Sequence, residues 1–191
     1  MKIYNKIFYK MENIQNLEIL LSKERIVVHK KVDINNWFAE YKKDIELGKH
    51  LYEKLHFLEV FLRNKIDYEF QKVFGSDWLN NVNQFPFSHN SIDKLNEIIK
   101  KDNKVSNLSF GFWSGLFHPY YHNKVWYKNP RLLKSMFPRF KTHELNLKQI
   151  EKELDVIRKL RNRVFHFEPL INSNTQECLA LIEKYVRGIG G

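Results

Sequence analysis

Between Asn35 and Gly75 the chain has no proline and one glycine, Gly48. Along that stretch Tyr41, Ile45, Leu51, Leu55, Leu58, Leu62 and Ile66 recur at helical spacing. A segment of this length and period has one economical structure, a single long helix against which the other elements must pack. Asn35 or Asn36 is placed to cap its start, and Gly75 to end it. Around Phe57 to Leu62 the segment is apolar on nearly every side, which predicts a central, buried passage. Gly48 either lets another helix approach closely or is a weak point in a long helix.

The remaining segments agree with a helical chain. Its 191 residues suffice for one domain with a real core, and residues 1–191 read as a single domain. Only seven Gly and five Pro are present, so breaks are few. A first helix is expected from about Glu12 to Val28, with Ile14, Leu17, Leu20 and Leu21 on one side. Ser76 to Ser88 reads as a loop rich in Asn and aromatics, and Ser91 as the cap of a short helix ending near Lys101. Leu108 to Phe117 reads as a buried helix. Pro119, Pro130 and Pro138 punctuate a region of turns. A helix is expected from about Leu145 to Phe167, stopped by Pro169. Asn174 and Glu177 resemble a capping box for a last helix ending at Gly188. No strand pattern is present. The expected fold is an all-α helical bundle with a loop-rich aromatic insert.

The net charge of +10 and a pI of about 9.5 suit a polyanionic partner or a Lys-rich solvated surface. Charge alone would also admit a helical DNA-binding protein. The single cysteine, Cys178, provides neither a disulfide framework nor a thiolate cluster, and reads as a core residue. A reducing, cytoplasmic setting follows as the expectation. No apolar run approaches the length of a membrane span, and Met1 to Met11 has no signal-peptide core. No Gly-rich loop cradles a phosphate. His118 and His122 are four apart, but Pro119 lies between them and Tyr120 and Tyr121 crowd the site, so neither a metal nor another cofactor is expected. Tyr120, Tyr121 and Trp126 with Lys124 and Lys128 have the composition of a platform for unpaired bases. Tyr121 and Lys124 are the RNA-binding candidates there, while Trp113 and Trp126 read more readily as packing.

The chemistry is concentrated in Arg161-Asn162-Arg163-Val164-Phe165-His166, followed by Phe167-Glu168-Pro169. A forked cation, an amide and an imidazole within six residues suit metal-free cleavage of RNA. In that reaction the 2′-hydroxyl attacks the adjacent phosphate, protons must move, and extra negative charge must be held. Histidine moves protons near neutral pH, arginine grips phosphate oxygens, and asparagine orients either partner. Arg161 also breaks a pattern. Leu147, Ile150, Leu154 and Ile157 mark a core stripe whose next places are Arg161 and Val164. A charge there is costly unless paired, so Arg161 either snorkels to water or serves a site. Glu59 and Arg63 are four apart on the long helix, with Asn64 next. If the two helices pack side by side, Glu59 would hold the Arg161 guanidinium; the plainer reading is an i,i+4 surface pair. One difficulty is geometric. Five helical residues turn the chain by roughly 140°, so Arg161 and His166 would point apart while Asn162 and His166 share a face. Either the last turn unwinds, or Arg163 takes the phosphate and Arg161 stands behind it. Arg158, Lys159 and Arg163 would extend a basic surface along the substrate.

These residues resemble the signature of Abi-like (abortive infection) proteins of the HEPN superfamily. Three more segments agree. Leu58-Glu59-Val60-Phe61-Leu62-Arg63-Asn64 is similar to that family's LEVxLRN helix, Phe74-Gly75-Ser76-Asp77-Trp78 to the turn after it, and Leu108-Ser109-Phe110-Gly111-Phe112-Trp113 to its LSFGFW segment. Ser22 to Arg25 fits an upstream SxxR element more loosely. The chain departs from the pattern in having Phe167 where many relatives carry a second histidine, and Asp44 and Gly48 where an Asn and a Ser are usual. The resemblance implies a HEPN-like helical fold, a homodimer, and a metal-independent endoribonuclease acting as a toxin in anti-phage defence. It implies Arg161, Asn162 and His166 as catalytic residues and Glu59, Arg63 and Asn64 as their support. RNA is the implied partner, as substrate and, in some related systems, as a structured noncoding antitoxin or guide. A HEPN module that binds RNA without cleaving it is the alternative.

Overall fold

The computed structural model describes residues 17–81, 84–98, 101, 103–171 and 173–190, and its regular elements are helical throughout. The expected all-α class is the observed one. In chain order the helices are α1 (Leu17–Leu21), α2 (Lys23–Val32), α3 (Trp37–Phe74), α4 (His89–Glu97), α5 (Lys104–Asn107), α6 (Phe110–Gly115), α7 (Pro119–Tyr121), α8 (Pro130–Met136), α9 (Leu147–Phe165) and α10 (Thr175–Ile189). A π-helical turn covers His122–Trp126 and a 3-10 turn covers Thr142–Glu144. The chain divides into two compact units. One holds the residues up to Tyr52 together with Asn162–Asn174; the other holds Glu53–Arg161 and the chain from Thr175 onward.

In the first unit the expected single helix from Glu12 to Val28 is corrected. Residues 12–16, Ile14 among them, lie outside the described residues, and the helix that follows is broken at Ser22, whose φ is 65°. The serine leaves helical geometry to cap α2, its Oγ accepting from the Arg25 N–H at 3.4 Å. Leu20 is consequently exposed. Asp33 Oδ1 then accepts from the N–H groups of Asn35 and Asn36, at 3.0 and 3.1 Å, and turns the chain into α3 directly after Asn36. At Gly48 an added Cβ would meet only Leu170 Cδ1, at 3.6 Å, an ordinary contact. Of the two readings of this glycine, the weak point in a long helix is the one the surroundings support.

In the second unit Leu55, Leu58, Leu62, Ile66 and Phe70 follow one face of α3 and are fully buried. The all-round burial expected at Phe57 to Leu62 is corrected: Phe57 and Phe61 are exposed. Helical period places them away from the Leu58–Leu62 stripe, so the helix is buried on one side there. Past the Gly75 turn, where φ is +89°, the loop folds aromatic rings onto the end of α3. Phe70 packs against Trp78, Phe85 and Trp126 at ring distances of 4.9 to 5.6 Å. The indole N–H groups are also matched: Trp78 donates to Asp67 Oδ1 at 2.9 Å, Trp113 to the Leu108 carbonyl at 3.2 Å and Trp126 to the Leu116 carbonyl at 2.8 Å. Ser88, rather than Ser91, caps α4, because its Oγ accepts from the Ser91 N–H; that helix stops at Glu97, short of Lys101. The segment expected as one helix from Leu108 to Phe117 is helical only over α6, after the Ser109 cap, though its aromatic side chains are buried as expected. Helix α9 lies within the expected Leu145 to Phe167, and α10 runs one residue past Gly188.

Between α9 and α10, Glu153 is buried and accepts from Lys184 Nζ (2.8 and 3.0 Å), Tyr185 Oη (2.7 Å) and Gln149 Nε2 (2.9 Å). Burial alone would raise the Glu153 carboxyl, but the Lys184, Gln149 and Tyr185 hydrogen bonds hold it below its ordinary value. Burial and the Glu153 carboxylate push the Tyr185 phenol up.

Two of the helical glycines, Gly48 and Gly188, respond oppositely to a methyl group. A Cβ at Gly188 would overlap Phe140 Cε1 and sit 2.6 Å from its Cδ1. That ring is buried between Phe137 and Tyr185, 4.8 and 5.5 Å away. Gly188→Ala is expected to lower stability by about 2 kcal/mol through overpacking, whereas Gly48→Ala raises it by about 0.5–1 kcal/mol through helix propensity. Urea unfolding of the two variants checks the pair, and equal midpoints would refute the packing assigned to both.

Candidate functional site

Helix α9 buries Leu147, Ile150, Leu154, Ile157 and Val164 on one stripe. At the place where that stripe calls for a leucine, Arg161 Nε donates to Glu59 Oε2 at 3.2 Å, with side-chain exposures of 20% and 15%. The charge on the core stripe therefore has a carboxylate partner from α3. Glu59 joins Arg161 and not Arg63, so the i,i+4 reading does not apply. Arg63 is half-buried, and its Nε has no hydrogen-bond partner among the described residues. Asn64 is exposed.

Helical bonding does not loosen ahead of His166. The His166 N–H donates to the Asn162 carbonyl at 2.9 Å, so α geometry continues to that residue. The next residue, Phe167, has φ 55°. Its N–H donates to the Val164 carbonyl at 3.2 Å, and that of Glu168 to the Arg163 carbonyl at 2.8 Å. This is a Schellman cap, usually closed by glycine. A phenylalanine there costs about 1–2 kcal/mol and is held from outside. Arg25 Nη1 donates to the Phe167 carbonyl at 2.7 Å, and the Leu170 N–H donates to the Asp44 carboxylate at 2.9 and 3.1 Å. Pro169 supplies the rest of the stop.

Because the helix holds up to the cap, its period sets which side chains lie side by side. Asn162 and Arg163, four and three residues before His166, share its side of the helix, and Arg161 does not. His166 is exposed, and Asn162 and Arg163 are half-buried. Arg163 is oriented by its own neighbours: Nη1 donates to Ser173 Oγ, and Nε lies 3.6 Å from Glu168 Oε2. Of the two ways of resolving the angle between Arg161 and His166, unwinding of the last turn is thus not observed.

Other candidates fall into place one by one. Arg158 and Lys159 both pair with Asp155, at 2.6 and 2.8 Å. Burial would raise that carboxyl, but hydrogen bonds from Lys159 and Arg158 hold it below its ordinary value. The basic face of α9 therefore carries an internal counter-charge. Lys124 is exposed, with Nζ 3.4 Å from the centre of the Tyr120 ring. Tyr121 is a correction: it is 2% exposed, and its hydroxyl accepts from the Ser88 N–H at 3.1 Å and bonds Ser91 Oγ at 2.8 Å. Its ring is core material and offers no face to a base. Trp126 is likewise buried, as its packing reading has it. His122 is buried with Nε2 2.9 Å from the Phe117 carbonyl, and His118 Nδ1 accepts from the Tyr120 N–H at 3.3 Å. Among the described residues no three His, Cys, Asp or Glu side chains gather as a metal site requires, and no helix is long and apolar enough to cross a membrane. Cys178 is buried, and burial, then the Glu177 carboxylate, pushes its thiol up.

One cluster escaped the sequence reading. His29 is fully buried, and its Nε2 lies 3.2 Å from Asp44 Oδ2. The only signal was a histidine interrupting the apolar residues of α2, which fixes no partner. Compared with protein-family models, curated proteins and solved structures, the chain finds no match, so the site is read from its own geometry.

Proposed function

We propose that this protein is a metal-independent endoribonuclease of the Abi-like, HEPN type, a cytoplasmic toxin of an abortive-infection or toxin–antitoxin system. The observation that carries the reading is the shared face of Asn162, Arg163 and His166 at the capped end of α9. His166 stands exposed, where it can exchange a proton with the 2′-oxygen or the leaving 5′-oxygen of RNA. Arg163 takes the phosphate oxygens through its fork, and Asn162 orients the attacking or leaving group. Arg161, clamped by Glu59, positions the helix that presents them. Arg158, Lys159 and Lys124 lie on exposed or partly exposed surface of the second unit and are further candidates for phosphate contact.

The chemistry needs a base and an acid, and the motif supplies one histidine. A two-fold dimer would bring His166 of both chains to one phosphate, flanked by arginines from each.

The test is the product. Cleavage is expected to proceed in EDTA and to leave a 2′,3′-cyclic phosphate or its hydrolysed form, read by end-labelled gel mobility before and after phosphatase treatment. Activity recovered only on adding a divalent cation, or a 5′-phosphate product, would replace this mechanism with metal-assisted hydrolysis.

A further inference from the structure

In the first unit the residue after His166 is held where a phenylalanine does not settle unaided. Phe167 has φ 55°, in the left-handed region where an L side chain is strained and glycine is not. Its side chain is 77% exposed, so packing does not hold it there. Strain of this kind persists only where neighbouring structure imposes it, and it gathers beside functional groups.

Two side chains from the N-terminal part of the chain impose it here. Arg25 Nη1 donates to the Phe167 carbonyl at 2.7 Å, and the Asp44 carboxylate accepts from the Leu170 N–H at 2.9 and 3.1 Å. The two bonds grip the segment on either side of Glu168 and Pro169. Each has a charged member, which makes it stronger than a neutral bond. The gripping groups are themselves fixed. Ser22 caps α2 at its own positive φ, and the helix so begun turns Arg25 and His29, four apart, to one side. His29 is fully buried. A carboxylate only accepts, so His29 Nε2 donates to Asp44 Oδ2, at 3.2 Å. Tyr41, three residues before Asp44 on α3, meets the His29 ring edge-on with centroids 5.2 Å apart. Leu170 is buried and anchors the far end of the segment.

We propose that Arg25 and Asp44 are positioning residues for His166. They hold the Phe167 cap, the cap holds the last turn of α9, and the last turn presents the imidazole on the face of Asn162 and Arg163. His29 serves by orienting the Asp44 carboxylate. His166 has a proton to transfer only under the ribonuclease reading, on which this role rests. A reacting group displaced by about 1 Å can lose roughly a hundredfold in rate. Without the two bonds, a strained and exposed cap is the first part of the helix to fray. Arg163 lies nearly a turn earlier, inside α9, and keeps its place when the cap opens. Substrate binding is therefore spared while turnover is not.

The experiment is steady-state cleavage of an RNA oligomer by the full chain, with amide hydrogen exchange read at Glu168, whose N–H closes the cap on the Arg163 carbonyl. Arg25→Ala is the leading variant, because its bond is exposed and the fold does not depend on it. It is expected to lower kcat about tenfold or more with KM within about twofold, and to speed Glu168 exchange about tenfold. Arg25→Lys keeps a donor for the Phe167 carbonyl and should retain most of kcat. Asp44→Ala is expected to behave as Arg25→Ala does, and Asp44→Asn, which keeps an acceptor for the Leu170 N–H, as Arg25→Lys does. If Asp44→Ala does not fold, because buried His29 has lost its partner, Arg25→Ala decides. Rescue by glycine separates positioning from a requirement of the fold. Phe167→Gly removes the penalty at positive φ, so adding it to Arg25→Ala is expected to recover kcat and to slow Glu168 exchange again. Wild-type kcat in folded Arg25→Ala, a rise in KM alone, or a loss that Phe167→Gly leaves unrepaired would overturn the proposal. Cleavage lost in His166→Ala but normal in Arg25→Ala discards the positioning role alone. Absence of cleavage by the wild type discards the ribonuclease reading and the role built on it.

Discussion

Replacing His166 by alanine is expected to reduce RNA cleavage by at least about a hundredfold, the usual contribution of a positioned general acid or base, and to relieve growth inhibition on expression. RNA affinity and unfolding temperature should not change, because the side chain is exposed. The companion variants separate the arginines. Arg163→Ala is expected to lower both cleavage and RNA affinity, since Arg163 shares the His166 face and is the proposed phosphate contact. Arg161→Ala also relieves toxicity, but through Glu59. Arg161→Ala and Glu59→Gln should lose activity to similar degrees, and the double variant little more than either, as members of one pair do. Additive losses would mean that Arg161 acts on the substrate independently of Glu59, and Arg161 rather than Arg163 would become the phosphate contact. Equal toxicity of wild type, Arg161→Ala and His166→Ala at equal expression would remove the ribonuclease reading.

The largest stability effect is expected at Glu153. Glu153→Ala leaves Lys184 without its buried partner and the Tyr185 hydroxyl without its acceptor. Breaking a buried pair in this way costs about 3 kcal/mol or more, enough to threaten a fold of ordinary stability. The sign of the pH dependence follows from the depressed carboxyl. A carboxylate held below its unfolded value contributes stability that is fully present above that value, about 4.3, and is lost as pH falls through the folded one. Urea midpoints of the wild type are therefore expected to fall as pH drops below about 4.3. Glu153→Ala should flatten that limb while lowering the whole curve. A wild-type-like acid limb in the variant would assign the acid sensitivity to other carboxylates, such as Glu69, which burial would raise but Lys65 and Lys72 hold below its ordinary value.

Sequence alone was sufficient wherever one property repeats along the chain. The run from Trp37 to Phe74 with its apolar period determined the long helix, the glycine after it determined the turn, and the scarcity of glycine and proline with no alternating pattern determined the all-helical class. The place of Arg161 on a leucine stripe marked a charge that must either be paired or reach water, and Glu59 was legible as its partner only on the condition that the two helices pack side by side. What stayed hidden depends on distances that no local period carries. Ser22 could have continued a helix, and only its capping bond to Arg25 broke it. Tyr121 had the composition of a stacking platform and became core once Ser88 and Ser91 took its hydroxyl. Phe167 occupies a left-handed cap because Arg25 and Asp44 hold the chain around it. That cap keeps His166 in register with Asn162 and Arg163 and turns Arg161 away. His29 and Asp44, fifteen residues apart, meet across the Asp33 turn that joins α2 to α3, and the Leu170 N–H after Pro169 then donates to the same carboxylate. Periodicity is a one-dimensional signal of burial, and it specifies helices and their apolar faces. Helical period already put Asn162 and His166 on one face; that the helix holds as far as His166, and which carboxylates meet Arg161 and His29, depends on bonds between segments distant in sequence, and only the tertiary structure determines those.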